Sequence, residues 1–229
     1  MPTLFIGNKN YSSWSMRPWV LMTQAGIPFD EVMVPFGSDF SSPDSAFKNT
    51  VRPINPAGTV PFLVDGDVVV SDTLAIAEYL AESFPDKALW PADKASRARA
   101  RSACAEMHAG FRALRNHCGM NIEADLASQG GLLMRDRADV RADLERLVEL
   151  WSGLLAQHGG PMLLGDFSIA DAYFAPVCSR LKTYALPVPP AIAAYVARVH
   201  ALPSVKAWTD AALAEHQFVV QDEPYRLQD

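Results

Sequence analysis

"VPFLVDGDVVVSDTLAIAEYL" runs from Val60 to Leu80 and changes its periodicity half-way. Phe62–Val64 and Val68–Val70 are aromatic and β-branched runs on either side of Asp65-Gly66-Asp67, which is hairpin-turn composition. After Thr73 the apolar positions fall at 74, 76, 79, 80 and 84, with charge at 78 and 82, the spacing of a helix with one buried face. Working outward, "TLFIG" near the N-terminus reads as a strand, residues 15–25 as a helix ended by Gly26, and "FDEVMVPF" as a second strand. The order is strand, helix, strand, an irregular stretch, strand, strand, helix. Beyond it, "PDKALWPAD" (85–93) carries two prolines and no period, and is the natural linker. Strand signals then vanish. Residues 94–118, 137–157, 169–182, 190–201 and 204–215 all read as helix. Strands early and only helices late predict an α/β or α+β domain followed by an all-α domain.

The chain has 229 residues, 49% of them hydrophobic and 20% charged, with a net charge of -6. That supports a sizeable core and argues against a nucleic-acid partner, which needs a basic surface. No apolar run reaches the ~20 residues of a membrane span, and the start has no signal-peptide pattern. A cytoplasmic protein is expected. Cys104, Cys118 and Cys178 form no C-x-x-C pair, and the five histidines show no ligand spacing, so neither a disulfide framework nor a metal site is expected.

The stretch "NKNYSSWSMRPWV" (Asn8–Val20) holds three serines where the first helix begins. Proline suits the first turn of a helix, where N–H groups have no partners anyway. Pro18 therefore puts Trp14 outside the helix and makes Ser15 the N-cap. Ser12 and Ser13 are left in the turn, beside the positive end of the helix dipole, a place that favours an anion. Read alone, all three could equally be turn and cap residues. Thr59-Val60-Pro61 enters the hairpin strand, with Pro61 either its first residue or the second member of a cis bond. Asp72 and Thr73 open the next helix. The helix end and the hydroxyl suit a carboxylate, and the acid suits an ammonium, as in the amino-acid end of a zwitterion.

Together these pieces resemble the glutathione S-transferase family, along essentially the whole chain. "SSWSMR" is similar to the Ser-Ser-Cys-x-x-Arg signature of the zeta class, with Trp14 in place of the cysteine. "NPAGTVPFLVDGD" resembles the family's Asn-Pro-x-x-x-Val-Pro stretch, and "SDTLAIAEYL" its γ-glutamyl-binding segment. "LLGDFSIADAYFAPV" resembles the helical domain's folding motif, with Ser168 and Asp171 as a capping box, and "YVARVHALPSVKAW" resembles the C-terminal helix pair. The resemblance implies a thioredoxin-like N-terminal domain (1–84), a linker (85–92) and an all-helical domain (93–229). It implies a serine-type enzyme of a bacterial subgroup in which Ser12, then Ser13, stabilises the glutathione thiolate for attack on a small electrophile. Trp14, Arg17, Val60, Pro61, Asp72 and Thr73 would bind glutathione, with Pro61 cis. Arg17 would meet either a glutathione carboxylate or an acid of the protein. His108, Phe111, Arg115 and Asn121 would line the second-substrate pocket. His108 and Arg115 have an alternative, a structural histidine and a domain-interface ion pair. A homodimer is implied. Glutathione-dependent cis–trans isomerisation of the maleylacetoacetate type, and a non-catalytic binding protein of the same fold, are the alternatives.

Overall fold

The computed structural model describes residues 1–226. Four short strands, β1 (Thr3–Ile6), β2 (Asp30–Met33), β3 (Phe62–Asp65) and β4 (Val68–Ser71), form one sheet in the order β2-β1-β3-β4. The β1–β2 pair is parallel and the other two are antiparallel. A parallel pair needs a crossover, and α1 (Ser13–Ala25) supplies it, ended by Gly26 in the left-handed conformation at φ +63°. The β3–β4 hairpin leads into α3 (Thr73–Ser83).

Side chains alternate across a strand, so this sheet has two cores. Leu4, Ile6 and Leu63 join the large core of α1, α3 and the helical domain. Phe62 faces the other way, with Phe36, Phe47, Val51 and Val219, and Phe5 stacks on it at 4.3 Å. Phe47 and Val51 belong to α2 (Ala46–Val51), a helix capped by Ser45, in the stretch expected to be irregular. Six residues are too few for a period to show.

The helical part comprises α4 (Lys94–Ala109), α5 (Arg112–His117), α6 (Ala127–Asp136), α7 (Ala138–His158), α8 (Ile169–Thr183), α9 (Pro190–Ala201) and α10 (Pro203–Glu215). The helix expected over 94–118 is broken: Phe111 takes φ +51° after Gly110, and α5 starts afresh. Arg115 explains why the break holds. Its Nη1 donates to the carbonyls of His108 at 2.9 Å, Gly110 at 3.3 Å and Met107 at 3.4 Å, serving the orphan acceptors at the end of α4. The capping box at α8 is present: Asp171 accepts from Ser168 N at 2.9 Å, and Ser168 Oγ from Ala170 N at 3.3 Å. α8 is buried along nearly its whole length and packs against α1 and α4. Among the described residues, no helix is long and apolar enough to cross a membrane.

Candidate active site

The β1–α1 turn differs from expectation in register. α1 begins at Ser13, so Trp14 lies inside it, Ser12 holds the N-cap position and Ser15 is a residue of the first turn. Pro18 costs the helix only the bond that would have closed on Trp14. Ser15 is drawn in by a tertiary contact: its Oγ, fully buried, accepts from Gly7 N at 3.1 Å and from Ser12 Oγ at 2.7 Å. The Ser12 side chain does not cap α1, so the first-turn amides keep their affinity for an acceptor.

Two adjoining cavities open beside this turn and share Trp14, Thr59 and Val60. The larger, about 290 Å³, is lined by Tyr11, Ser12, Ser13, Lys48, Arg115, Arg180 and Asp222, with Phe36, Phe40 and Phe47 on its apolar wall. The smaller, about 220 Å³, is lined by Pro61, Asp72, Thr73 and His108. The Val60–Pro61 bond is cis. Asp72 takes φ +80°, a conformation costly for a residue with a side chain, and its Oδ1 caps α3 by accepting from Leu74 N at 2.8 Å. Backbone strain of this kind tends to collect at ligand sites.

Groups from the helical domain close the smaller cavity. His108 Nε2 lies 3.4 Å from Asp72 Oδ2, and its Nδ1 is 2.8 Å from the Tyr173 hydroxyl. That hydroxyl is also 2.9 Å from Thr73 Oγ1. His108 thus faces the smaller cavity, beside Asp72, rather than the larger one. Arg17 is 3% exposed and meets no carboxylate among the described residues. Its guanidinium stacks on Trp14 at 4.0 Å and Tyr173 at 4.2 Å, and its Nε donates to the Tyr173 carbonyl at 3.1 Å. Burial pulls its pKa down to about 10, which leaves it cationic at neutral pH.

Of the other residues expected at the second-substrate pocket, Arg115 does line the larger cavity, but its guanidinium is engaged at the end of α4. Phe111 is packed in the main core. Asn121 is buried and accepts from Asn10 Nδ2 at 3.1 Å, a strut between the serine turn and the helical domain.

Sequence reasoning missed three charged groups here: Lys48, Arg180 and Asp222 all line the larger cavity, and Lys48 Nζ donates to the Gly58 carbonyl at 2.6 Å. Arg180 on α8 is 6% exposed, and its Nη2 donates to Ser13 Oγ at 3.0 Å. Its Nη1 donates to the Cys118 carbonyl. Burial pulls its pKa down to about 10. A lone arginine within the apolar run "YFAPVCSRL" was the available signal. Asp222 belongs to a C-terminal strap that folds back over the serine turn. There Gln217 accepts from Asn8, Val219 enters the smaller core, and Glu223 accepts from the Tyr11 hydroxyl at 2.6 Å. Burial pushes the Asp222 carboxyl up to about 6. No local pattern foretold the strap.

The cysteines lie elsewhere: Cys104, Cys118 and Cys178 are buried free thiols, and burial raises the pKa of each. Two family models, "Glutathione S-transferase, N-terminal domain" and "Glutathione S-transferase, C-terminal domain", match residues 11–83 and 94–211. The chain belongs to the glutathione S-transferase family. This transferase-family chain is 30% identical over 192 residues to a probable maleylacetoacetate isomerase of Caenorhabditis elegans, with 82% of this chain and 83% of that one covered. It is 35% identical over 125 residues to Glutathione S-transferase 1 of Dianthus caryophyllus, a match spanning 54% of each chain, about half the length of that relative. Among solved structures, a glutathione transferase homolog from Burkholderia with bound glutathione has a TM-score of 0.69 at 26% identity, covering 94% of this chain and 99% of that one.

Proposed function

We propose that this protein is a glutathione transferase of the serine type, acting on a small electrophile. The observation that carries the reading is the pair of cavities meeting at Trp14, Thr59 and Val60. The smaller has an acid and a helix-start hydroxyl suited to the γ-glutamyl zwitterion. The larger has the serine turn suited to a sulfur and an apolar wall suited to an electrophile. Val60, shared by both, would pair through its backbone with the cysteinyl unit. A relative in the family and a neighbour with bound glutathione support the same ligand.

A free thiol is only a few per cent ionised at neutral pH, and its thiolate is the nucleophile. A hydroxyl is too weak a base to take the proton, but a hydrogen bond donated to the thiolate lowers the thiol pKa. Ser12 Oγ already donates to Ser15 Oγ, whereas Ser13 Oγ accepts from Arg180 and keeps its own proton for a ligand. That supports Ser13 ahead of Ser12 as the thiolate partner, the reverse of the order that the motif implies. The test is thiol conjugation with a chromogenic electrophile; no turnover together with no glutathione binding defeats the reading.

A second reading is glutathione-dependent cis–trans isomerisation of a maleyl diacid, the activity named for the nematode relative. Arg115, Arg180 and Lys48 around the larger cavity favour an acidic substrate. Trp14 at the zeta-class cysteine position weighs against it, and an isomerase assay decides. We read the molecule further as a cytoplasmic homodimer with domains at 1–84 and 93–229 and a linker at 85–92. Residues 227–229 of that second domain lie outside the described residues. A monomeric mass in solution contradicts the dimer.

A further inference from the structure

We propose that Arg180 is a positioning residue for the thiolate: by donating to Ser13 Oγ it turns that hydroxyl's proton toward the glutathione sulfur. The inference rests on the transferase reading above and adds to it a residue that the serine motif does not contain.

Arg180 is a buried cation with an incomplete set of partners. Nη2 is spent on Ser13 Oγ at 3.0 Å, and Nη1 on the carbonyls of Cys118 and, at 3.4 Å, Arg115. Nε has no partner. No carboxylate lies within hydrogen-bonding distance among the described residues. Charges buried in this way are ordinarily paired, because desolvation costs more than isolated hydrogen bonds return. An anion in the larger cavity, which Arg180 and Ser13 both line, would complete the arrangement. A hydroxyl that accepts from a cation is polarised into a stronger donor. Because the guanidinium occupies an Oγ lone pair, the Ser13 proton is left to point elsewhere. Arg180 comes from α8, 167 residues away in sequence, so the helical domain supplies half of the thiolate-stabilising device. The titratable groups acting on Arg180 include Cys118, Tyr184, Arg115, Asp222 and Arg17. Asp222 is the one that titrates near the assay range, at about 6, so the thiol is followed above that pH.

The experiment is a pH titration of the thiolate ultraviolet absorbance of glutathione bound to the whole protein. The variants are R180K, S13A and R180K/S13A, with thermal unfolding as a check on the fold. Lysine is shorter and presents one nitrogen where arginine divides two between Cys118 and Ser13, so R180K is expected to keep a cationic group at this position and to lose the planar two-point reach to Ser13. R180K is expected to raise the bound-thiol pKa by about one unit, with kcat/KM falling about tenfold at neutral pH and recovering as the pH rises. R180K/S13A is expected to titrate as S13A does. An unchanged thiol pKa in R180K, or equal additive shifts in the double variant, overturns the proposal. Failure of the unaltered protein to bind glutathione would instead defeat the transferase reading, and binding alone measures that.

Discussion

Ser12 Oγ donates to Ser15 Oγ across 2.7 Å, so the proton of the first serine is spent inside the turn. Ser15 is in turn fixed by Gly7 N, which ties the end of β1 to the first turn of α1. S12A should therefore loosen the turn slightly and leave conjugation within about threefold, the cost of one neutral hydrogen bond. S13A should lower kcat/KM about 10- to 100-fold at neutral pH, the worth of a hydrogen bond to a charged group. Steady-state kinetics on the two variants side by side check this.

Asp72 should act on affinity rather than on turnover. D72N keeps the α3 cap, since asparagine caps as well as aspartate, and removes the charge that Asp72 offers to an ammonium and to His108 Nε2 at 3.4 Å. The expected result is a glutathione KM raised about tenfold with kcat within about twofold. A fall in kcat with KM unchanged would mean that Asp72 serves the chemistry and not the zwitterion.

The Tyr173 hydroxyl joins Thr73 and His108 across the domain boundary. Y173F leaves both of those groups without their partner, at a cost of about 1–3 kcal/mol. In a chain of this size that corresponds to a fall in Tm of about 2–4 °C per kcal/mol. Thermal unfolding measures it.

The strap gives a pH signature. Asp222, half-buried near Arg180 and Glu223, has its folded pKa raised to about 6 from an ordinary 3.8, chiefly by desolvation. A raised pKa means that the fold favours the protonated carboxyl. Its contribution to stability is full below about pH 4 and is lost as the pH rises through about 6. D222N cannot ionise. The Tm difference between D222N and the parent should be near zero in acid and grow in favour of D222N toward neutral pH. A flat difference across that window would place Asp222 in water.

Gly130 and Gly131 are neighbours in α6 with opposite surroundings. A Cβ at Gly130 would stand 1.8 Å from the Tyr184 carbonyl, while one at Gly131 meets nothing within 4 Å. G130A should cost about 1–3 kcal/mol by overpacking, and G131A should be neutral or stabilise by up to about 1 kcal/mol through helix propensity. Denaturant unfolding of the pair tests how closely α6 docks on the end of α8.

What was legible in the sequence was what is local. The hairpin around Gly66, the stop at Gly26 and the Ser168–Asp171 capping box each depend on residues within a few positions of one another. The start of α1 was misplaced because the Pro18 constraint is local, whereas the bond from Gly7 N that draws Ser15 into the helix is tertiary. α2 was too short to show a period. The Gly110–Phe111 break was hidden inside a good helical pattern, because Arg115, which stabilises it, reaches backward to carbonyls. In the site, Trp14, Val60 and Asp72 line one cavity. Arg180, Asp222 and the true place of His108 did not emerge, since each is set by a contact between distant segments.

Ser13, and not Ser12, is proposed to hold the glutathione thiolate. The most direct test is the pKa of bound glutathione, read by thiolate absorbance in the parent, S12A and S13A proteins. S13A is expected to raise it by about 1–2 units while S12A moves it by a few tenths at most. A shift confined to S12A, or no shift in either, would contradict it.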